Sequence, residues 1–182
     1  MIRTIGLLEL NSIAKGIETA DFMIKAAEVD LLLAKTVCPG KYIILITGNV
    51  GAVESSVATG IECGGAYVVD KLIIPNIHEQ LIPAINATSN IEELKALGVM
   101  EFFGIASAIV AADAAVKAAD VNLIEVRLGI GIGGKAFVTL TGDVSSVKSA
   151  VDVGASTAAR NGMLVNKVVI PSPRKELLES LL

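Results

Sequence analysis

Few side chains in this 182-residue chain are able to do chemistry. His78 is the single histidine, so neither a two-histidine metal site nor a histidine relay can be built from it. It follows Pro75 in a polar turn, which suits a surface or interface contact. Cys38 sits in Thr36-Val37-Cys38-Pro39-Gly40 and Cys63 in Glu62-Cys63-Gly64, so no C-x-x-C pair arises. Cys63 reads as a small buried hydrophobe, and Cys38 as a loop cysteine that symmetry could gather with its own copies. Glu9 and Glu101 could be paired carboxylates. Their recurrence at one strand position in two repeats points instead to bonds with neighbouring backbone, or with a lysine across an interface. Asp21 and Asp113 read as solvated positions in mid-helix. Residues 129–134, Gly-Ile-Gly-Ile-Gly-Gly, match G-x-G-x-x-G to the letter. A dinucleotide site needs such glycines to open a helix that receives the pyrophosphate. Here Lys135-Ala-Phe-Val-Thr-Leu-Thr141 follows, a strand pattern, so the glycines read as a hairpin loop. No Ser/His/Asp set, Walker loop, acid–base pair or metal-ligand cluster emerges, and the chemistry offers no enzyme.

The composition narrows the classes further. Hydrophobic residues make up 53% of the chain and charged residues 19%, so it can bury a core and is not disordered. Aromatics are 3% with no Trp, and the net charge is −4. Nucleic-acid binding wants clustered Lys/Arg and stacking rings, so it is excluded. No apolar run reaches the length of a membrane span, and residues 1–6 do not read as a signal peptide. Two cysteines suit a reducing compartment. A soluble chain this apolar is expected to bury surface against partners.

The elements that carry these residues occur twice. At an offset of 92, residues 5–32 match 97–124 with 12 identities, Glu9/Glu101, Asp21/Asp113 and Lys25/Lys117 among them. The match resumes at 94, pairing Gly40-Lys41 with Gly134-Lys135, and at 96, pairing Ile74-Pro75 with Ile170-Pro171. Insertions between copies fall where loops belong. In the first copy, residues 3–10 read as a strand, and Ser12–Glu28 has helical spacing. Val29–Val37 and Tyr42–Thr47 read as a hairpin turning at Pro39-Gly40. Val50–Cys63 reads as a second helix and Tyr67–Ile74 as a last strand. The order β-α-β-β-α-β predicts an α+β fold of two tandem ferredoxin-like units. Each has a four-stranded antiparallel sheet with both helices on one face and the other face left to cover. The expected domains are 1–86 and 97–182, joined by a polar linker at 87–96.

Several strings resemble the bacterial microcompartment (BMC) shell domain. They are Ile5-Gly-Leu-Leu-Glu9, Ala20-Asp-Phe-Met-Ile-Lys25-Ala-Ala, Gly48-Asn-Val-Gly-Ala-Val53 and Ile73-Ile-Pro75. Gly98-Val-Met-Glu101, Ala112-Asp113, Lys117-Ala-Ala-Asp-Val121, Gly142-Asp-Val-Ser-Ser-Val147 and Val168-Val-Ile-Pro171 repeat them. With Glu9-Leu-Asn-Ser-Ile-Ala-Lys-Gly16 and Lys35-Thr-Val-Cys-Pro-Gly-Lys41, the pattern is most similar to tandem-domain shell proteins of the propanediol-utilisation type. The resemblance implies a flat homotrimer, pseudohexameric in its domains, that tiles a cytoplasmic microcompartment shell beside other BMC shell proteins. Such a shell encloses enzymes and passes small metabolites through central pores. The implied pore-lining residues are Cys38, Pro39, Gly40, Gly131, Ile132, Gly133 and Gly134, with Ser107 and Ala108 from the turn after the second unit's first strand. In that subgroup a Cys in this turn can hold an iron–sulfur cluster. Ala108 stands at its aligned position, so no cofactor is expected, although three copies of Cys38 could still ligate a 4Fe-4S cluster. Lys25 and Lys117 match the family's tile-edge lysine. The nearby Pro-Arg-Pro-His motif is reduced to Pro75-Asn-Ile-His78 and Pro171-Ser-Pro-Arg174, which adds His78 and Arg174 to the edge.

Two readings stand beside the shell tile. An electron-transfer shell protein would bind iron and absorb visible light. A tandem ferredoxin-like regulatory module would bind a small molecule at a domain interface and form no sheets.

Overall fold

The computed structural model describes residues 4–91, 93–159 and 162–179. The first repeat runs β1 (Thr4–Leu10), α1 (Ile13–Ala26), β2 (Val29–Val37), β3 (Lys41–Gly48), α2 (Val50–Gly64) and β4 (Val68–Ile74). The second runs β5 (Ala96–Phe102), α4 (Ile105–Ala118), β6 (Val121–Leu128), β7 (Ala136–Gly142), α5 (Val144–Ala159) and β8 (Leu164–Ile170). Short helices follow each repeat, α3 (Leu81–Ile85) and α6 (Lys175–Glu179). Each unit holds one antiparallel sheet, ordered β2-β3-β1-β4 in the first and β6-β7-β5-β8 in the second. This is the split-βαβ order expected from the sequence.

The local sequence accounts for the elements. Ser12 caps α1, its side chain accepting the Lys15 N–H at 3.3 Å, and Asn49 caps α2 by accepting the Ala52 N–H at 2.9 Å. Each such cap is worth about 1 kcal/mol. The central strands β1 and β3 alternate Leu8, Leu10, Ile44 and Ile46 into a core with Met23, Val53 and Val57. Ile5, Leu7, Ile43 and Leu45, on the opposite face, are equally inaccessible to solvent. The expectation of a sheet face left bare therefore fails for the central strands. It holds at the flank, where Val168, opposite Val99, is exposed. The repeat extends to polar detail: Thr47 Oγ1 donates to the Thr4 carbonyl at 2.8 Å, and Thr141 Oγ1 to the Ala96 carbonyl at 2.9 Å.

The domain boundary differs from the sequence reading. The compact units divide between Ile77 and His78, not at residue 86. Polar residues 86–90 do lack helix and strand, but α3 precedes them and packs on β6 and α4 of the second unit, burying Leu81, Ala84 and Ile85. Residues 81, 84 and 85 share one face of a single helical turn. Burial of that face outweighs continuity of the chain with the repeat it follows.

Gly6 and Gly98 set how closely α2 and α5 approach their sheets. A Cβ at residue 6 would lie 2.7 Å from Val57 and 2.8 Å from Val53; at residue 98 it would lie 2.7 Å from Val151 and 2.9 Å from Val147. These valines are buried and cannot move aside. Gly6→Ala and Gly98→Ala should each destabilise their own unit by about 1–3 kcal/mol. Denaturant unfolding checks this; an unchanged midpoint in either variant would contradict the packing described.

Candidate functional site

The ladder registers give each sheet two chemically different ends. In the first unit Leu10 faces Tyr42 and Val37 faces Lys41, so the β2–β3 tip shares a sheet end with the turn at Asn11-Ser12. In the second unit Phe102 faces Ala136, which sets the β6–β7 tip beside the turn at Phe103-Gly104. At the other end, Ile5 faces Ile74 and Val29 faces Gly48. The end of α1 and the exit of β4 lie there. Ile170 facing Leu97 and Val121 facing Gly142 do the same for α4 and β8. The residues expected at a pore thus occupy one end of each sheet, and Lys25, Lys117 and Arg174 the opposite end.

The two tips differ in substance. In the first, Cys38 and Pro39 are joined by a cis peptide, and Gly40 takes φ 83° while donating to the Val37 carbonyl at 3.1 Å. Its absent side chain would meet nothing, so the left-handed conformation alone demands glycine. The Cys38 thiol is half-buried and forms no disulfide. In the second tip Gly129, Gly131, Gly133 and Gly134 all have positive φ, and a turn closes with Lys135 N–H donating to the Ile132 carbonyl at 3.3 Å. A strand, not a helix, follows, as expected for a hairpin. Ser107 is half-buried in the first turn of α4. Ala108 corrects an expectation: it has no solvent-accessible surface and faces the core, so in this unit it lines no opening. Sequence reasoning passed over two exposed side chains at this end, Phe103 and Ile130. The only signal for them was a large apolar residue placed at a turn.

Behind each tip lies an ion pair. Glu9, buried on β1, pairs with Lys41, and Glu101 on β5 pairs with Lys135 at 2.6 Å. The expected lysine across an interface is therefore replaced by the first lysine after each unit's own hairpin tip. Cys63 is also less buried than expected, half-exposed and accepting from Thr19 Oγ1 at 3.7 Å.

At the opposite end, Lys25 pairs with Asp21 at 2.6 Å, both exposed. Lys117 pairs with Asp113 at 2.5 Å, but Asp113 is buried and also accepts the His78 backbone N–H at 2.8 Å. Asp113 is thus not the solvated residue expected; it ties His78 to α4. The second unit has in addition a polar cavity of about 370 Å³ lined by Glu93, Lys95, Asp120, Asn122 and Asp143. It lies at the end of β6 and β7 away from their tip. Hydrogen bonding to Asp143, reinforced by its charge and that of Glu93, raises the Lys95 pKa above the usual lysine range. Among the described residues no group of three His, Cys, Asp or Glu could hold a metal ion, and no helix is long and apolar enough to cross a membrane.

Known proteins share this architecture. The BMC domain family matches residues 4–77 and again 96–173. The bacterial microcompartment shell protein PduT of Citrobacter freundii is 45% identical over 97% of this chain and 96% of its own. The bacterial microcompartment shell protein EutM of Salmonella typhimurium is 45% identical over 47% of this chain and 88% of its own. A crystal structure of a microcompartment protein from Desulfitobacterium hafniense superposes with a TM-score of 0.93 at 57% identity, covering 98% of this chain and 99% of that one.

The ion pairs generate a prediction. Glu9 is 3% exposed and Glu101 36% exposed. Removing the partner of a buried charge costs about 3–5 kcal/mol, that of an exposed one up to about 1. Lys41→Met should therefore destabilise far more than Lys135→Met in denaturant unfolding; equal losses would overturn this ranking.

Proposed function

The chain belongs to the BMC domain family, in both halves, and from that premise we propose how a structural microcompartment shell protein of this sequence assembles and what it passes. The carrying observation is the doubled BMC domain, in a chain matched across almost its whole length by a microcompartment shell relative. A shell built from such domains needs closed tiles. Two similar domains per chain complete a six-domain ring with three chains, and cyclic closure covers flanking apolar surface. The functional form in this reading is a homotrimer that packs beside other shell proteins around enzymes in the cytoplasm.

The tip ends of the sheets face the ring axis, and the helix-end lysines face outward. In this arrangement Cys38-Pro39-Gly40 and Gly131–Gly134 line the opening, with Ser107 near it. The glycine-rich tip offers backbone N–H groups and no ionised side chain, which favours small anionic or hydroxylated metabolites. The turn residues do not fit an iron–sulfur cluster, because Ala108 supplies no thiolate and faces the core. The opening works as a selective hole, and the chain acts as wall rather than catalyst.

Two predictions follow from the residues at each end. Purified protein of this sequence should sediment near three times its 18.8 kDa chain mass and form hexagonal sheets visible by electron microscopy. Lys25→Ala should abolish the sheets with an unchanged melting temperature. Lys117→Ala should abolish them and also lower the melting temperature, because Asp113 is buried. Sheets that persist in both variants would refute the edge role. Anaerobically purified protein should hold no stoichiometric iron or sulfide. About one four-iron cluster per trimer, lost on Cys38→Ser, would replace the metabolite pore with an electron-transfer site.

A further inference from the structure

The same helical face is buried in one repeat and bare in the other. Ile105, Ile109, Asp113 and Val116 form one face of α4, all buried. Their counterparts at offset 92, Ile13, Ile17, Asp21 and Ile24, are all exposed on α1, Ile17 by 55%. The neighbouring edge strands differ likewise: Leu123 on β6 is 1% exposed, Leu31 on β2 44%. In the second unit a segment that follows the first repeat in sequence packs there. His78 N–H donates to Asp113, Leu123 N–H donates to Gln80 Oε1 at 2.8 Å, and α3 buries Leu81, Ala84 and Ile85 against α4 and β6.

The second repeat is followed by a segment of the same build. At offset 96, Arg174 stands for His78, Glu176 for Gln80 and Leu177 for Leu81; in sequence Leu181 stands for Ile85. The backbone agrees: Leu81 N–H donates to the His78 carbonyl at 3.1 Å, and Leu177 N–H to the Arg174 carbonyl at 3.1 Å. Leu177 is exposed, as is the α1 face.

We propose that the segment beginning at Arg174 in one copy covers the α1–β2 face of a second copy, as the segment beginning at His78 covers α4–β6 within each chain. In the assembly the Arg174 N–H donates to Asp21, Glu176 accepts the Leu31 N–H, and Leu177 joins Ile13 and Ile17. The occupant is a second copy because every repeat tail then covers the repeat that comes next around the closed ring, and that succession runs from one molecule into another. One pairing is unlike its counterpart: Glu176 comes opposite Asp30, where Gln80 donates to Asn122 at 3.4 Å. Repulsion there leaves the strap between copies weaker than the one within the chain. This inference rests on the closed-ring reading above and names the surfaces that close it.

The test uses full-length chains in which Cys38 and Cys63 are serine. One copy carries Arg174→Cys and a large tag, and the other Asp21→Cys and a small tag, co-expressed and oxidised gently. Each chain then has one thiol, so a disulfide between differently tagged chains can only join two copies. That mixed species should dominate. Its absence in protein that still sediments as an oligomer would overturn the strap and leave the ring reading standing. A full-length protein that sediments as a monomer would overturn both. Independently, Leu177→Asp should weaken self-association about tenfold or more while leaving the circular dichroism spectrum unchanged; undiminished association would count against the strap.

Discussion

The register of the central strand pair governs the organisation of each unit. β1 lies between β3 and β4, antiparallel to both, and β5 lies likewise between β7 and β8. In an antiparallel sheet each connection must emerge at a defined end, so one register places the hairpin tip and the first-helix entrance together. The same register sends the helix end and the last strand's exit to the far side. A one-residue slip would turn every core side chain outward. The pin against slippage is steric, since Gly6 and Gly98 admit the valines of α2 and α5 and no larger residue fits. Each sheet thereby carries different chemistry at its two ends.

Duplication then permits divergence where the copies do different work. The cores retain Glu9/Lys41 and Glu101/Lys135 as strand-to-hairpin ties. The tips ahead of those lysines diverge into a cysteine-proline turn and a run of left-handed glycines. Because the lysine after each tip is held by its own sheet, the tip can change length and composition without moving the strands. The same pairing gives each of the two carboxylates a lysine partner within its own unit.

Much of the fold was legible in the sequence, for physical reasons. β-Branched runs, caps at Ser12 and Asn49, and turn residues at Pro39-Gly40 all act locally, and doubling let each copy check the other. The family was legible from the same strings. What escaped the reading depended on packing between distant segments. Nothing within Leu81-Ile82-Pro83-Ala84-Ile85 says which repeat it will cover. The burial of Asp113 follows from that docking, whereas its counterpart Asp21 keeps identical neighbours Ala20 and Lys25 and stays exposed. Alignment places Ala108 in a loop, but a helix entered at Gly104 turns it inward by the fourth residue.

The contrast between α1 and α4 is an argument about energy as well as location. Both helices carry an apolar face at the i, i+4 spacing that suits burial, and only the second hides it. Isoleucines left half in water forgo roughly 1 kcal/mol or more each relative to full burial. Contiguous exposure of this kind marks a contact surface. Asp21 and Lys25 sit at the end of that face already paired with each other, so a covering segment with one free backbone N–H finds an acceptor held in place. In the second unit His78 makes that contact and Asp113 is desolvated by it. The α1 face is therefore a finished docking surface in residue type, spacing and polar anchor, and the energy it withholds from the isolated chain is available to the assembled one.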